Sequence, residues 1–223
     1  MTRNSIVAAA ITLALALGVG TWWNTTRTAL PEMPLVGAAN AQEAEVDTSS
    51  VIEMAQGAED APVTVIEYAS FTCPHCADFH ADQYKQLKAE YIDTGKVRFV
   101  FRETYFDRYG LWASMIARCG GEERFFGMTD LIMKSQSEWV RAGGPNQIVA
   151  ELRKIGRLAG LGEEQLDACL QDAEKAQTLV AWYQENAEAD GIDSTPSLVI
   201  NGEKYGNMRY SDLARIIEEK LAE

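Results

Sequence analysis

Runs of apolar and β-branched residues indicate where this chain forms strands. Val63–Tyr68 and Val97–Arg102 consist largely of β-branched and aromatic residues, a composition typical of strands. Ser197–Ile200 predicts a third strand, and the Asn201-Gly202 dipeptide behind it is a strong signal for a two-residue hairpin. Glu203–Tyr205 is then the returning strand. The predicted strands fall into two groups, which a long segment of different character separates.

Helical spacing of apolar residues follows the first strand. Residues 77–91 place Phe79, Tyr84, Leu87 and Tyr91 near one face, which predicts a helix there. This helix leads back to the second strand, so the chain begins its fold as a β-α-β unit.

The long segment between the two groups of strands is also predicted to be helical. From about residue 109 to residue 189 nearly every stretch has helical periodicity, and glycine clusters divide it into separate helices. After the hairpin, Ser211 is predicted to cap a last helix with one apolar face. The predicted order is β-α-β, a helical insert, then β-β-α, which is an α/β fold.

The N-terminus has the character of a targeting segment. Residues 1–23 combine Arg3 with the short apolar run Ile6–Val19, which is the pattern of an export signal. The apolar region is also just long enough to span a bilayer, so an N-terminal membrane anchor is the alternative to a cleaved signal peptide. Residues 24–50 have neither a helical nor a strand period and are interpreted as a linker. The folded domain, residues 51–223, is predicted to lie outside the cytoplasm in either case.

Composition and charge narrow the function. The chain has 223 residues and a net charge of −13, from 20 basic and 33 acidic residues. It contains no cluster of Lys or Arg that would neutralise phosphates, so nucleic acid is not an expected partner. The segment after the linker is long enough to bury the core of one domain.

Four cysteines carry the candidate chemistry. Cys73 and Cys76 are so close that pairing with each other is the simplest arrangement. Cys119 and Cys169 then remain, either as a structural disulfide within the helical insert or as two buried thiols. Zinc is the alternative ligand for Cys73 and Cys76, but the remaining cysteines and histidines are poorly spaced to complete a site, and no metal is predicted. Two disulfides fit an oxidising compartment.

The first cysteine pair lies where the first strand gives way to a helix. Cys73 is at the start of the first turn, where unpaired backbone N–H groups and the helix dipole favour a thiolate. Pro74 suits the first helical position, where no N–H is needed, and His75 stabilises the thiolate when it is protonated or donates a hydrogen bond. A stable thiolate is a good leaving group, so a Cys73–Cys76 disulfide is predicted to be a strong oxidant.

This motif and its context resemble a known family. Cys73–Cys76 after a strand, Thr195-Pro196 before a hairpin and a helical insert between the two halves are similar to the DsbA family of thioredoxin-fold disulfide oxidoreductases. The resemblance covers roughly residues 50–223 and includes the phrase Ala61–Phe71. It implies a thioredoxin fold with an inserted helical subdomain, and a redox-active disulfide that works without a bound cofactor.

The resemblance also implies roles for individual residues. Cys73 and Cys76 are the expected catalytic pair, and Thr195 and Pro196 match a cis-proline loop that faces the dithiol and binds an extended substrate. Glu67 matches an acidic residue beneath the active site, where it would exchange a proton with Cys76. The expected protein is a periplasmic monomer, tethered to the inner membrane if residues 1–23 are retained. It donates its disulfide to reduced or unfolded exported proteins, and a membrane oxidase of the DsbB type reoxidises it.

Two other functions stay open at this point. A periplasmic reductase or isomerase uses the same dithiol with electrons flowing the other way. A redox-inactive chaperone uses the helical insert to hold exported proteins. His80, one turn into the helix after Cys76, is interpreted as a solvated polar residue without a functional role.

Overall fold

A single sheet forms the centre of residues 46–223, the part of the chain that the computed structural model describes. Its strands are β1 (Met54–Gln56), β2 (Val63–Ala69), β3 (Val97–Glu103), β4 (Ser197–Ile200) and β5 (Glu203–Gly206). Their order is β1-β3-β2-β4-β5; β2 and β3 run parallel, and the other neighbours are antiparallel. The predicted signal peptide or anchor, and the predicted linker up to residue 45, lie outside the described residues.

The central strand β2 presents different residues to the two faces of the sheet. Side chains alternate along a strand, so Val63, Val65 and Glu67 share one face and Tyr68 points to the other. All four are buried, because helices cover both faces. The strand ends at Ala69, three residues before Thr72 and the cysteine motif. The dithiol therefore lies at the carboxyl end of the central strand.

The helical segment after β2 covers the face that carries Glu67. It consists of α1 (Pro74–Ala81), α2 (Gln83–Leu87) and a π-helical turn (Lys88–Ile92). The continuous helix predicted over residues 77–91 is wrong in one respect, since Asp82 has φ −124° and ψ −75° and breaks it. Phe79 and Tyr84 are five residues apart, so a straight helix would point them about 140° away from each other. The break allows both side chains to be buried.

The segment between β3 and β4 consists of helices joined by short loops. Its helices are α3 (Arg108–Cys119), α4 (Glu122–Lys134), α5 (Gln136–Trp139), α6 (Pro145–Leu158), α7 (Glu163–Gln171) and α8 (Ala173–Ala189). The breaks between α3 and α4, before α6 and before α7 fall at the predicted glycine clusters. No helix among residues 46–223 has both the length and the hydropathy needed to cross a bilayer.

A buried ion pair attaches this helical insert to the sheet. The guanidinium of Arg118 on α3 donates to both carboxylate oxygens of Glu103 at the end of β3, each at 2.6 Å. Its remaining nitrogen donates to the carbonyl of Ile52 at 2.8 Å. A two-pronged, fully hydrogen-bonded pair of this kind fixes orientation as well as position. The ion pair therefore fixes α3, the first helix of the insert, against β3. This strand pairs with β2, the strand that leads to the dithiol.

Two local features differ from the sequence prediction or were absent from it, and a third agrees with it. β1 was not predicted, because three residues at a sheet edge give too short a pattern. The hairpin prediction is confirmed, with positive φ angles at Asn201 and Gly202. The cap prediction is wrong: the last helix, α9 (Tyr210–Leu221), begins before Ser211, and no side chain caps it.

Candidate active site

The cysteine motif forms the first turn of α1. Cys73 is the N-cap, with an extended backbone (φ −82°, ψ 118°), and Pro74 is the first helical residue. The carbonyl of Cys73 accepts hydrogen bonds from the backbone N–H groups of Cys76 and Ala77, both at 3.2 Å. This agrees with the sequence prediction, which placed Pro74 at the first helical position. The backbone nitrogen of proline carries no hydrogen, so it leaves no donor unpaired at a position where the helix supplies no acceptor.

The loop before the motif is tied to the helical insert. The hydroxyl of Thr72 donates to the carboxylate of Asp107 at 2.8 Å. Asp107 in turn accepts from the N–H groups of Tyr109 and Gly110 and so caps α3. Neither Thr72 nor Asp107 was singled out from the sequence. The cap pattern of Asp107 was the available signal, but its link to Thr72 depends on the fold.

The two thiols of the motif are free and differ in exposure. Cys73 is 9% exposed and Cys76 is fully buried beneath it. Pro74 and His75 between them are exposed at the surface. An approaching substrate thiolate can therefore reach the sulfur of Cys73 and not that of Cys76.

The loop before β4 forms the facing wall of this site. The Thr195-Pro196 peptide bond is cis. The Sγ atom of Cys73 lies 3.6 Å from the carbonyl oxygen of Thr195. The structure thus brings Thr195 and Pro196 against the dithiol, 122 residues away in sequence from Cys73.

The surroundings shift the pKa values of the two thiols in opposite directions. A hydrogen bond from the Cys76 thiol is the main cause that lowers the pKa of Cys73 to about 5, against the opposing effect of burial. The Thr195 side chain and the backbone N–H groups of Cys76 and His75 add smaller contributions in the lowering direction. The same hydrogen bond, together with burial and the nearby Glu67 charge, raises the pKa of Cys76. The pair therefore holds one proton, on Cys76.

Glu67 lies in the protein interior, below the motif. It is fully buried on β2, opposite Phe101 of β3 and Leu198 of β4. Its Oε2 atom is 2.9 Å from Nε2 of His80. The interpretation of His80 as a solvated residue is wrong, because only 3% of its surface is exposed. The available signal was its position four residues after Cys76, on the same face of α1.

The second pair of cysteines is bonded and lies within the helical insert. Cys119 at the end of α3 and Cys169 in the last turn of α7 form a disulfide with a Cα–Cα distance of 5.9 Å. Because the two sulfurs are bonded to each other, neither is available as a thiolate ligand for a metal ion. The insert is thus cross-linked separately from the dithiol.

The sequence and the fold match known proteins. The profile of the thioredoxin family matches residues 49–219. A Rickettsia bellii relative, named provisionally as a protein-disulfide oxidoreductase, is 33% identical over 189 residues, which cover 82% of this chain and 72% of that protein. The match to a similarly named Rickettsia felis relative covers 61% of its length at 32% identity.

A more distant relative and a solved structure point the same way. Disulfide bond formation protein D of Bacillus subtilis is 25% identical over a region that covers 74% of this chain and 75% of the length of that protein. The crystal structure of Wolbachia pipientis alpha-DsbA1 superposes with a TM-score of 0.70 at 26% identity, covering 76% of this chain and 91% of that one. The predicted fold class is confirmed, and the chain belongs to the thioredoxin family of thiol:disulfide oxidoreductases, with the fold of a DsbA protein.

Proposed function

We propose that this chain introduces disulfide bonds into exported proteins by thiol–disulfide exchange at Cys73 and Cys76. The observation that carries the proposal is the asymmetry of the two thiols: Cys73 is the N-cap of α1 and 9% exposed, and Cys76 is fully buried beneath it. Cys73 is stabilised as a thiolate with a pKa of about 5, while the pKa of the buried Cys76 is raised.

The low pKa of Cys73 favours the reduced form of the protein. Whatever stabilises the Cys73 thiolate stabilises the dithiol state relative to the disulfide, which has no thiolate to stabilise. Each unit by which the pKa falls corresponds to about 1.4 kcal/mol in favour of the thiolate. A disulfide whose reduced form is stabilised takes electrons readily, so oxidation of substrates is the favoured direction.

The proposed exchange begins with the disulfide form. A substrate thiolate attacks Sγ of Cys73, the Cys73–Cys76 bond breaks, and Cys76 leaves as a thiolate that takes up one proton. A second substrate thiol, losing its proton, then attacks the substrate sulfur of the mixed disulfide and expels Cys73 as its stable thiolate. Two electrons have moved from the substrate to the protein. The substrate holds a new disulfide, and the protein holds the dithiol pair.

The site suits an extended protein substrate. The loop that contains Thr195 lies against Cys73, with the Thr195 carbonyl oxygen 3.6 Å from the sulfur, and its backbone groups are where a substrate strand can pair. We propose reduced or unfolded exported proteins as substrates, a membrane oxidase of the DsbB type as the reoxidising partner, and the periplasm as the location. The two sulfurs accept and donate the electrons, so the proposed cycle uses no bound cofactor. The protein is proposed to act as a monomer.

The equilibrium with glutathione tests the direction of electron flow. The reduction potential is measured for the native protein and for the variant Cys119→Ala/Cys169→Ala. In the variant, only Cys73 and Cys76 can contribute to the measured potential. We expect a potential more oxidising than that of the glutathione couple, with the protein recovered from cells in the disulfide form. A potential as low as that of thioredoxin, about −270 mV, and a dithiol in cells would assign the chain as a reductase or isomerase. A dithiol that never cycles while client proteins are protected from aggregation would make it a chaperone.

A further inference from the structure

Glu67 and His80 form a buried acid–base pair that the exchange steps above do not use. Glu67 is fully buried and His80 is 3% exposed, with 2.9 Å between Oε2 and Nε2. The imidazole is packed among aromatic rings, with Tyr84 at 4.7 Å and Phe101 at 5.5 Å between centroids. Two well-packed apolar residues would occupy this position without the cost of removing ionisable groups from water. A buried, ionisable pair beside a reactive thiol is therefore a candidate for a chemical role.

One end of the pair faces Cys76. Cys76 and His80 lie four residues apart on α1, so they share the face that covers Glu67 on β2. The Glu67 charge is close enough to contribute to the raised pKa of Cys76. The second carboxylate oxygen, Oε1, is buried and has no hydrogen-bond partner among the described residues. Glu67 thus has one oxygen on His80 and one available to a neighbouring proton donor.

The other end of the pair reaches a cleft that opens at the surface. His80 lies in the wall of this cleft, whose volume is about 340 Å³ and which separates α1 from α4 and α5. The Nδ1 atom of His80 has no protein partner among residues 46–223, and neither has Nε2 of Gln136 in the same wall. Two buried polar atoms on one cleft are suited to hydrogen bonds with water inside it.

Proton exchange between Cys76 and Glu67 is already implied by the family resemblance; from this geometry we infer that His80 carries that proton between Glu67 and the α1–α4 cleft. The inference rests on the proposed function only in that Cys76 must lose and regain a proton in each cycle. Glu67 exchanges the proton with the thiol. His80 acts through Glu67 as a positioning and relay residue, passing the proton between its Nε2 side and its Nδ1 side.

The direction of proton transfer reverses between the two halves of the cycle: Cys76 gains a proton in the first half and loses it in the second. When substrate attack breaks the Cys73–Cys76 bond, the Cys76 thiolate takes a proton from the pair, and the pair regains one from water through Nδ1. In reoxidation, Cys76 must attack a mixed disulfide on Cys73, so its thiol gives its proton to Glu67 and the pair releases one to the cleft. No external oxidant or reductant takes part in these proton steps.

Other charged and titratable groups surround the pair. From α1 and α2 these are Cys76, Asp78, Tyr84 and Lys85, and from α4 and the segment after α5 they are Asp130, Lys134 and Arg141. The charged side chains among them are exposed at the mouth of the cleft. Water screens these charges, so they affect the buried pair less than its two members affect each other.

The step in which Cys76 acts can be isolated kinetically. Reduced protein mixed with excess oxidised glutathione first forms a mixed disulfide on Cys73, at a rate that depends on glutathione concentration. Cys76 then displaces the glutathione in a first-order step, during which it must lose its proton. Acid quenching and mass spectrometry follow both steps, whichever direction the protein works in cells.

His80→Gln is the informative variant, because glutamine keeps a hydrogen-bond donor for Glu67 but carries no transferable proton. We expect the second step to slow about tenfold or more near neutral pH, at the low end of typical general acid–base effects. The deficit should shrink as pH rises and hydroxide removes the proton directly. The first step should keep its native rate. Tyr84→Phe is the matched control, since the Tyr84 ring packs on His80 while its hydroxyl accepts from Gln56, so the change leaves the pair and the ring packing in place.

Unchanged kinetics and pH dependence in His80→Gln would overturn the relay, as would equal slowing of both steps. Imidazole NMR of the native protein is the second measurement, should the variant fail to fold. His80 is one of two histidines, so its signals are easily assigned. They should differ between the disulfide and dithiol forms, and this difference should vanish in Glu67→Gln. Identical His80 signals in both redox forms from about pH 4 to about pH 9 would rule the relay out. A low reduction potential would contradict the proposed function without affecting these results.

Discussion

The two cysteine pairs of this chain have the same chemistry and opposite environments. Cys73 is the N-cap of α1, where the helix dipole and unpaired N–H groups stabilise a thiolate. Cys119 is the last residue of α3, and Cys169 lies in the last turn of α7. A helix C-terminus carries the negative end of the dipole and disfavours a thiolate. Position on a helix thus separates the reactive pair from the structural one.

Sequence separation distinguishes the pairs further. Cys73 and Cys76 close a loop too short to restrict the unfolded chain appreciably, so little stability depends on their bond. Cys119 and Cys169 are 50 residues apart, and their bond links the first helix of the insert to α7. The first pair is suited to exchange and the second to cross-linking, which the following experiments test.

Removing the reactive thiol should have the largest effect. Cys73→Ser should lower the oxidation rate of a reduced peptide to that of uncatalysed exchange, roughly a thousandfold or more, as for loss of a catalytic group. The matched variant Cys119→Ser/Cys169→Ser should retain the activity. A Cys73→Ser protein that oxidised the peptide at the native rate would show that the exchange occurs elsewhere.

Removing the structural disulfide should act on stability instead. Cys119→Ala/Cys169→Ala opens a loop of 50 residues. The free energy of unfolding in urea should fall by about 4 kcal/mol in the chain-entropy account of cross-links. If the stability were unchanged while the activity disappeared, the roles assigned to the two pairs would have to be exchanged.

The reactive pair should also make stability depend on pH, and the structural pair should not. In the dithiol form, folding lowers the pKa of Cys73 from 9.0 to about 5. The stabilisation from Cys73 is largest near pH 9 and is lost as pH falls through the window from 9 to 5, while above pH 9 the raised pKa of Cys76 acts in the opposite direction. Unfolding of the dithiol form relative to the disulfide form should show this slope. Thiolate absorbance of the folded dithiol should titrate with a midpoint near pH 5.

A hydroxyl beside the reactive pair should have the smallest effect. Thr195→Val removes a side chain that helps to lower the pKa of Cys73. We expect the absorbance midpoint to rise by about one unit or less, equivalent to at most about 1.4 kcal/mol. Thr129→Val is the control, since it removes a buried hydroxyl on α4 that makes no contribution to the pKa of Cys73. Equal shifts in both variants would mean that the Thr195 hydroxyl has no specific role.

Local sequence was sufficient for several parts of this description. The strands β2 to β5 and the helical insert were predictable because the residues themselves favour those conformations. The cysteine motif after β2 placed Cys73 at a helix start for the same reason. These features depend on residues within a few positions of one another, and so a single sequence contains them.

The remaining features depend on contacts between distant segments. His80 looked like a surface residue, and it is buried because β2 brings Glu67, 13 residues earlier, within 2.9 Å. The cleft beside it exists only because α4 and α5 of the insert pack near α1. Thr195 reaches Cys73 across 122 residues of chain. The sequence by itself placed Cys73 at a helix start and so predicted which sulfurs are reactive, since helix position is a local property. The tertiary structure decided what surrounds them, because burial and proton transfer depend on which segments pack together.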